Sequence, residues 1–156
     1  MHYSFYNWQA AVVPPVNSDY PGINSPRELY DALSHIWCAA TCAPRMREKW
    51  SAQNKTCGQC SITAFLVQDI FGGKVYGIPR EGGAAFHCYN VVPTSSGDCV
   101  FDLTSEQFGG EKLSYKGNPE QFREVHFAKT EKRERYELLK SELAKFCSTL
   151  HKAQTD

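Results

Sequence analysis

Residues 57–73 read CGQCSITAFLVQDIFGG. From Cys60 to Phe71 the apolar side chains cover most of a helical circumference, which a surface helix does not need, and the run stops at two glycines able to take the left-handed conformation that closes a helix. The stretch therefore predicts a buried central helix over Cys60–Phe71, introduced by Gly58-Gln59 and ended by Gly72-Gly73. A cysteine in the first turn of such a helix lies among unpaired N–H groups at the positive end of the helix dipole, and both favour its thiolate.

Upstream, residues 1–24 carry Pro14, Pro15, Asn17, Ser18, Pro21, Gly22 and Asn24, which predicts an extended lead-in with at most one short strand. Ser25, Pro26 and Glu28 read as an N-cap, a first-turn proline and a capping-box acid. Leu29, Leu33, Ile36 and Trp37 then follow at helical spacing, so this helix is expected to run to about Thr41. Pro44 ends it, and Arg45–Lys55 is a polar crossing. Downstream, Lys74–Ile78 is a short strand and Pro79–Gly83 a turn. Phe86–Val92 and Cys99–Leu103 flank the turn-rich PTSSGD as a hairpin. Thr130 caps a last helix over residues 130–151, with Tyr136, Leu139, Leu143, Phe146 and Leu150 on its apolar face. The sum is an α+β domain over residues 1–156, with the central helix on a small antiparallel sheet and helices flanking it.

The 156 residues suit one such domain. Seventeen basic and seventeen acidic side chains cancel, and the pI is near 6.9, so no overall field attracts nucleic acid or an anionic membrane. No transmembrane run or secretory leader is evident, and a cytoplasmic location is expected. There the seven cysteines stay reduced, and catalysis, metal binding or burial accounts for them better than a disulfide framework.

The hairpin supplies the next inference. With its centre between Thr94 and Ser95, His87 falls directly across from Asp102 on the same face, within reach of one hydrogen bond. A carboxylate on one ring nitrogen leaves the other to exchange a proton with a nucleophile, and Cys60 is the best-placed thiol. The helix-terminal N–H groups are then available to an oxyanion. Cys60, His87 and Asp102 are accordingly the candidate catalytic residues. No cofactor is expected.

The order Gly58-Gln59-Cys60, His87 in HCYNVV and Asp102 in FDLT resembles the catalytic core of the papain-like and transglutaminase-like superfamily. More narrowly, GQCSITAFLVQDIFGG, HCYN and FDLTSEQF together resemble the YunG-like family of small bacterial proteins. These motifs lie within residues 57–108. The resemblance implies a papain-like or transglutaminase-like core and a Cys-His-Asp site for acyl transfer. The resemblance carries no substrate; attack of Cys60 on an amide or thioester carbonyl is expected to act on a protein, a peptide or a small amide, as an amidase, peptidase, deamidase or transglutaminase-like enzyme. For the oxyanion side chain or the substrate wall the chain offers Gln59, Gln53, Asn54, Tyr89 and Trp50.

Other readings stand beside these. Cys60 as a buried structural thiol and Asp102 as the cap of a short helix near Thr104 are both chemically ordinary. Cys57-x-x-Cys60 with Cys38 and Cys42 is a possible structural zinc set, in which case the domain is catalytically silent and binds a partner. Alternation places Cys88 and Cys99 away from the His87 face, and with Cys147 they read as packing. The charged run Lys129–Arg135 reads as a solvated helix start.

Overall fold

The computed structural model describes residues 2–155. Its elements run α1 (Pro26–Leu33), α2 (Cys60–Phe71), β1 (Lys74–Arg80), β2 (Ala85–Thr94), β3 (Gly97–Phe101), β4 (Glu120–Gln121), α3 (Arg123–His126) and α4 (Thr130–Thr155). The class is α+β, with one antiparallel sheet in the order β3-β2-β1-β4.

α2 occupies the predicted residues because its punctuation is unambiguous. Gly72 and Gly73 both take positive φ, at 78° and 76°, and a Cβ on Gly73 would lie 2.3 Å from the Val91 carbonyl oxygen. The helix packs on β2 on one side and α4 on the other, so it is apolar nearly all round. Ile62, Phe65 and Leu66 are fully buried, together with Leu139 and Leu143 of α4 and Phe101 of β3. Each such side chain contributes roughly 1.5–3 kcal/mol by leaving water.

α1 starts as expected, with the Ser25 hydroxyl accepting from the Glu28 N–H at 3.3 Å. It ends at Leu33 and does not reach Thr41. The Thr41 hydroxyl accepts from the Cys38 N–H and donates to the Cys38 carbonyl, both at 3.1 Å, and this local bonding replaces a helical ladder. Within the polar crossing, Pro44–Lys49 forms short 3-10 turns. β1 extends through Pro79, and the turn begins only after Arg80. β4 covers β1 only at Val75 and Tyr76, so Pro79 lies where the outer edge has no strand partner, a setting that tolerates proline.

The hairpin register differs from expectation by two residues. Thr94 pairs with Gly97 and Asn90 with Phe101, so the turn is centred between Ser95 and Ser96. The Thr94 hydroxyl accepts from the Ser96 N–H at 3.1 Å and donates to the Gly97 carbonyl at 2.6 Å, while Gly97 takes φ 113°. PTSSGD lacks the Asn-Gly or Asp-Gly pair that announces a turn centre. A slip of one residue exchanges the faces of a strand, but a slip of two preserves them, so His87 and Asp102 remain on one face as diagonal neighbours.

The lead-in is part of the packed structure. Phe5, Ala11, Val13 and Ile23 are buried, a 3-10 turn covers Trp8–Ala10, and Tyr6 bridges to Asp102. Asn17 and Val16 cap the far end of α2 through the Asp69 carbonyl at 2.8 Å and the Ile70 carbonyl at 2.7 Å. At the other terminus α4 runs past residue 151. Its apolar face leaves the core before Leu150, which is 40% exposed, and Cys147 is buried in its place. The run Lys129–Arg135 is not wholly solvated, because Arg135 is 6% exposed, bonded to Glu131 at 2.6 Å and to the Thr41 carbonyl at 3.0 Å. Among the described residues, no helix is long and apolar enough to cross a membrane.

Candidate functional site

Cys60 is the first residue of α2, and Gly58 sets its position. Gly58 has φ 70°, and a Cβ there would lie 2.5 Å from Cys42 Sγ and 3.0 Å from the Ala43 nitrogen. Its N–H donates to Gln107 Oε1 at 3.3 Å, and its carbonyl accepts from the Ala43 N–H at 2.9 Å. These bonds hold the approach to the helix, and Cys60 is left partly exposed. Its thiol donates to the Phe86 carbonyl at 3.7 Å, which fixes the sulfur against the start of β2.

His87 is 2% exposed, and its Nε2 lies 2.6 Å from Asp102 Oδ2. With the carboxylate oxygen accepting, Nε2 carries the proton. Nδ1 is buried without a hydrogen-bond partner, an expensive condition unless the nitrogen has a chemical use. Cys60 and His87 lie close enough to bias each other's ionisation, the thiol downwards and the imidazole upwards.

Asp102 is 1% exposed and is gripped at both oxygens. Oδ1 accepts from the Thr104 N–H at 3.1 Å and from its hydroxyl at 3.4 Å, while Oδ2 accepts from the Tyr115 hydroxyl at 2.7 Å as well as from His87. Tyr115 is itself stacked on Tyr6 at 3.9 Å and edge-on to Tyr89 at 4.9 Å. Burial and then the Asp102 charge push its phenol far above the ordinary range, so it donates at every working pH. Sequence reasoning missed Tyr115 because it lies in an aperiodic loop with no motif around it.

The electrostatics couple these groups. Burial works to lower the His87 pKa, but the Asp102 charge and hydrogen bond outweigh it and, with Cys60, lift it to about 10. The Cys60 thiol is drawn well below the ordinary range, first by a hydrogen bond from Cys88 and then by His87, against the cost of burial. Cys88 packs in the hydrophobic core at 1% exposure, as expected. It faces α2, as does Asn90, whose amide donates to the Ala64 carbonyl at 2.9 Å. Alternation along β2 sends His87 and Tyr89 to the opposite face.

Phe108 lies edge-on to His87 at 4.6 Å, and the Arg80 guanidinium lies 4.6 Å from the Phe108 ring centre while pairing with Glu111 at 2.6 Å. On another side, Lys132 donates to His126 Nδ1 at 2.9 Å, and His126 Nε2 meets Gln121 Oε1 at 2.9 Å. Burial and then Lys132 bring His126 down to about 4, so its ring is neutral.

The remaining sequence candidates have other partners. Gln59 is fully buried and donates to the Cys38 carbonyl at 3.1 Å, which fixes its amide in the 38–42 turns. Trp50 closes its own loop through the Lys55 carbonyl at 2.9 Å, Gln53 is exposed, and Asn54 bridges to Ser51. Tyr89 is 2% exposed and accepts from Asn118 at 2.9 Å, so it is a support and not a groove wall. The four-cysteine set does not assemble. Cys42 and Cys57 neighbour each other, Cys38 contacts Thr41, and Cys60 belongs with Cys88 and His87. Among the described residues, no group of three or more His, Cys, Asp or Glu side chains is placed to hold a metal ion.

A thiol whose pKa is drawn down, a histidine held by a doubly gripped carboxylate and a helix N-terminus form a set capable of nucleophilic chemistry at a carbonyl. The model of the YunG protein family matches residues 25–148, and the chain belongs to that family. Uncharacterized protein YunG of Bacillus subtilis (strain 168) is 38% identical over 60 residues, which are 38% of this chain and 47% of that protein. The matched stretch thus spans about half the length of that relative. No solved structure matches.

Proposed function

We propose that this member of the YunG family is a thiol-dependent acyl-transfer enzyme with a papain-like or transglutaminase-like arrangement of Cys60, His87 and Asp102. One observation carries the reading. His87 commits Nε2 to Asp102 and leaves Nδ1 buried with no hydrogen-bond partner, free to exchange a proton with the Cys60 thiol in this reading. A purely structural histidine in so buried a place is expected to bond both nitrogens.

In the proposed cycle the Cys60 thiolate adds to an amide or thioester carbonyl, and the oxyanion is received by N–H groups at the start of α2. His87 Nδ1–H protonates the departing amine or thiol as the tetrahedral centre collapses to a thioester on Cys60. Nδ1 then takes a proton from water or an acceptor amine, which attacks the thioester and restores the thiolate. Asp102 holds the ring and its charge throughout. Water gives hydrolysis and an amine gives transfer.

An activated ester such as p-nitrophenyl acetate tests this directly. The expected result is a burst of nitrophenol with acetyl recovered on the Cys60 peptide, released by hydroxylamine and abolished in Cys60→Ser. Acetylation spread evenly over the cysteines, or a burst that survives Cys60→Ser, rejects the reading.

A further inference from the structure

The far end of α2 borders a cavity, separated from Cys60 by roughly 13 Å of helix axis. It holds about 410 Å³ and lies where the lead-in, the last turn of α2, the end of α3 and α4 meet. One wall comes from α4, because Arg133, Tyr136, Glu137 and Lys140 recur at i, i+3, i+4 and i+7 and so share a face. Among the described residues, two buried polar atoms of the lining side chains have no hydrogen-bond partner. They are Asp69 Oδ2 and the Tyr136 hydroxyl oxygen.

Packing explains neither atom. Arg123 Nη2 donates to Asp69 Oδ1 at 2.9 Å, to Gln68 Oε1 at 2.8 Å and to the Phe65 carbonyl at 3.4 Å, and Asp69 Oδ2 is left over. Tyr136 is 4% exposed, with its ring against Phe127 at 4.6 Å and the Lys140 ammonium at 5.1 Å, contacts that a phenylalanine would make equally well. A buried carboxylate oxygen and a buried hydroxyl are costly unless something bonds them, so both point to a polar group held in the cavity. The lining charges are balanced, with Asp19, Asp69 and Glu137 against Arg123, Arg133 and Lys140. Among the described residues Arg133, Lys140, Asp19 and Glu137 form no ion pair. A lone anion or cation would meet as many like charges as opposite ones, whereas a molecule carrying both charges can set each against its opposite.

We propose that this cavity binds a free α-amino acid. Its ammonium group donates to Asp69 Oδ2, and its carboxylate accepts from the Tyr136 hydroxyl, with Arg133 and Lys140 supplying the opposite charge. Phe127 and Tyr20 give the side chain an apolar wall. A peptide terminus brings only one of the two charges and leaves half of the lining unanswered. The assignment uses no part of the thiol site and holds whether or not Cys60 is a nucleophile.

The test screens the common amino acids singly, at about 10 mM, against the full chain by saturation-transfer NMR, and measures the strongest binder by calorimetry. Its methyl ester, with the charge of a peptide N-terminus, and its N-acetyl derivative, with that of a C-terminus, are titrated beside it. The expected result is millimolar or tighter binding of the free amino acid and at least about tenfold weaker binding of both derivatives. Tyr136→Phe and Asp69→Asn should each bind it at least about tenfold more weakly. Tyr136→Phe removes only the unbonded hydroxyl, so it should unfold thermally no earlier than the wild type, and Cys60→Ser should bind as the wild type does. Absence of binding, equal binding of either derivative, or unchanged binding in Tyr136→Phe overturns the site. A loss of binding in Cys60→Ser also overturns it, by moving the amino acid to the thiol.

Discussion

Asp102→Asn keeps the shape of the carboxylate and removes the charge on which the polarised pair depends. Asp102 offsets the burial of His87 and, with Cys60, brings its pKa to about 10. In the variant only Cys60 still opposes burial, so the His87 pKa falls steeply and the ring no longer holds the charge that stabilises a thiolate. The size of the effect follows from thiol ionisation. At about pH 6.5 a thiol of ordinary acidity is roughly 1% ionised, so relative to a fully ionised Cys60 the loss of reactivity has a ceiling of about 100-fold. The Cys88 hydrogen bond persists in the variant, and the expected fall is about 10- to 100-fold. The assay is the rate of iodoacetamide addition to the Cys60 peptide across pH, alongside thermal unfolding to show that the variant folds. A wild-type profile that rises only near the ordinary thiol range, or a variant profile that superposes on the wild type, refutes the reasoning.

Tyr115→Phe removes a donor from Asp102 Oδ2 while leaving the His87 contact, and should cost about 1–3 kcal/mol in urea unfolding, as for a hydrogen bond to a charged acceptor; an unchanged midpoint shows that the bond contributes nothing. Gly58→Ala places a Cβ at φ 70° and 2.5 Å from Cys42 Sγ, and is expected to lose about 2–4 kcal/mol, of which Gly58→Ala with Cys42→Ala recovers only the part due to the clash. His126 has a folded pKa of about 4, below its ordinary 6.5, so the unfolded chain binds the extra proton. Its contribution is complete above about pH 6.5 and is lost as pH falls towards 4. Denaturation at about pH 7 and about pH 5 should show a wild-type loss that His126→Asn reduces by about 1–2 kcal/mol.

The parts of the fold that were legible in the sequence are those with local punctuation. α2 has glycines at both ends and an apolar circumference, so its bounds follow from residues 58–73 alone. The face shared by His87 and Asp102 also followed, because strand alternation has period two and the register error was two. α1 was read too long, because apolar spacing through Trp37 resembles a helix while the Thr41 hydroxyl redirects the backbone at Cys38. The four cysteines of the zinc alternative are dispersed for a related reason. Cys38, Cys42, Cys57 and Cys60 have ligand-like spacing, but the turns send them to different neighbours.

The order of residues along the chain was thus sufficient to place a buried helix opening on Cys60 and to bring His87 and Asp102 to one face. It contained no information on the long-range partners that give these residues their character. Tyr115 reaches Asp102 from a loop 13 residues beyond it, and the Cys60 sulfur is set against the Phe86 carbonyl across the helix–strand interface. Whether a thiol is a filler or an ionised nucleophile depends on the donors, charges and solvent around its sulfur. Those are set by packing between segments distant in sequence, and only the tertiary structure brings them together.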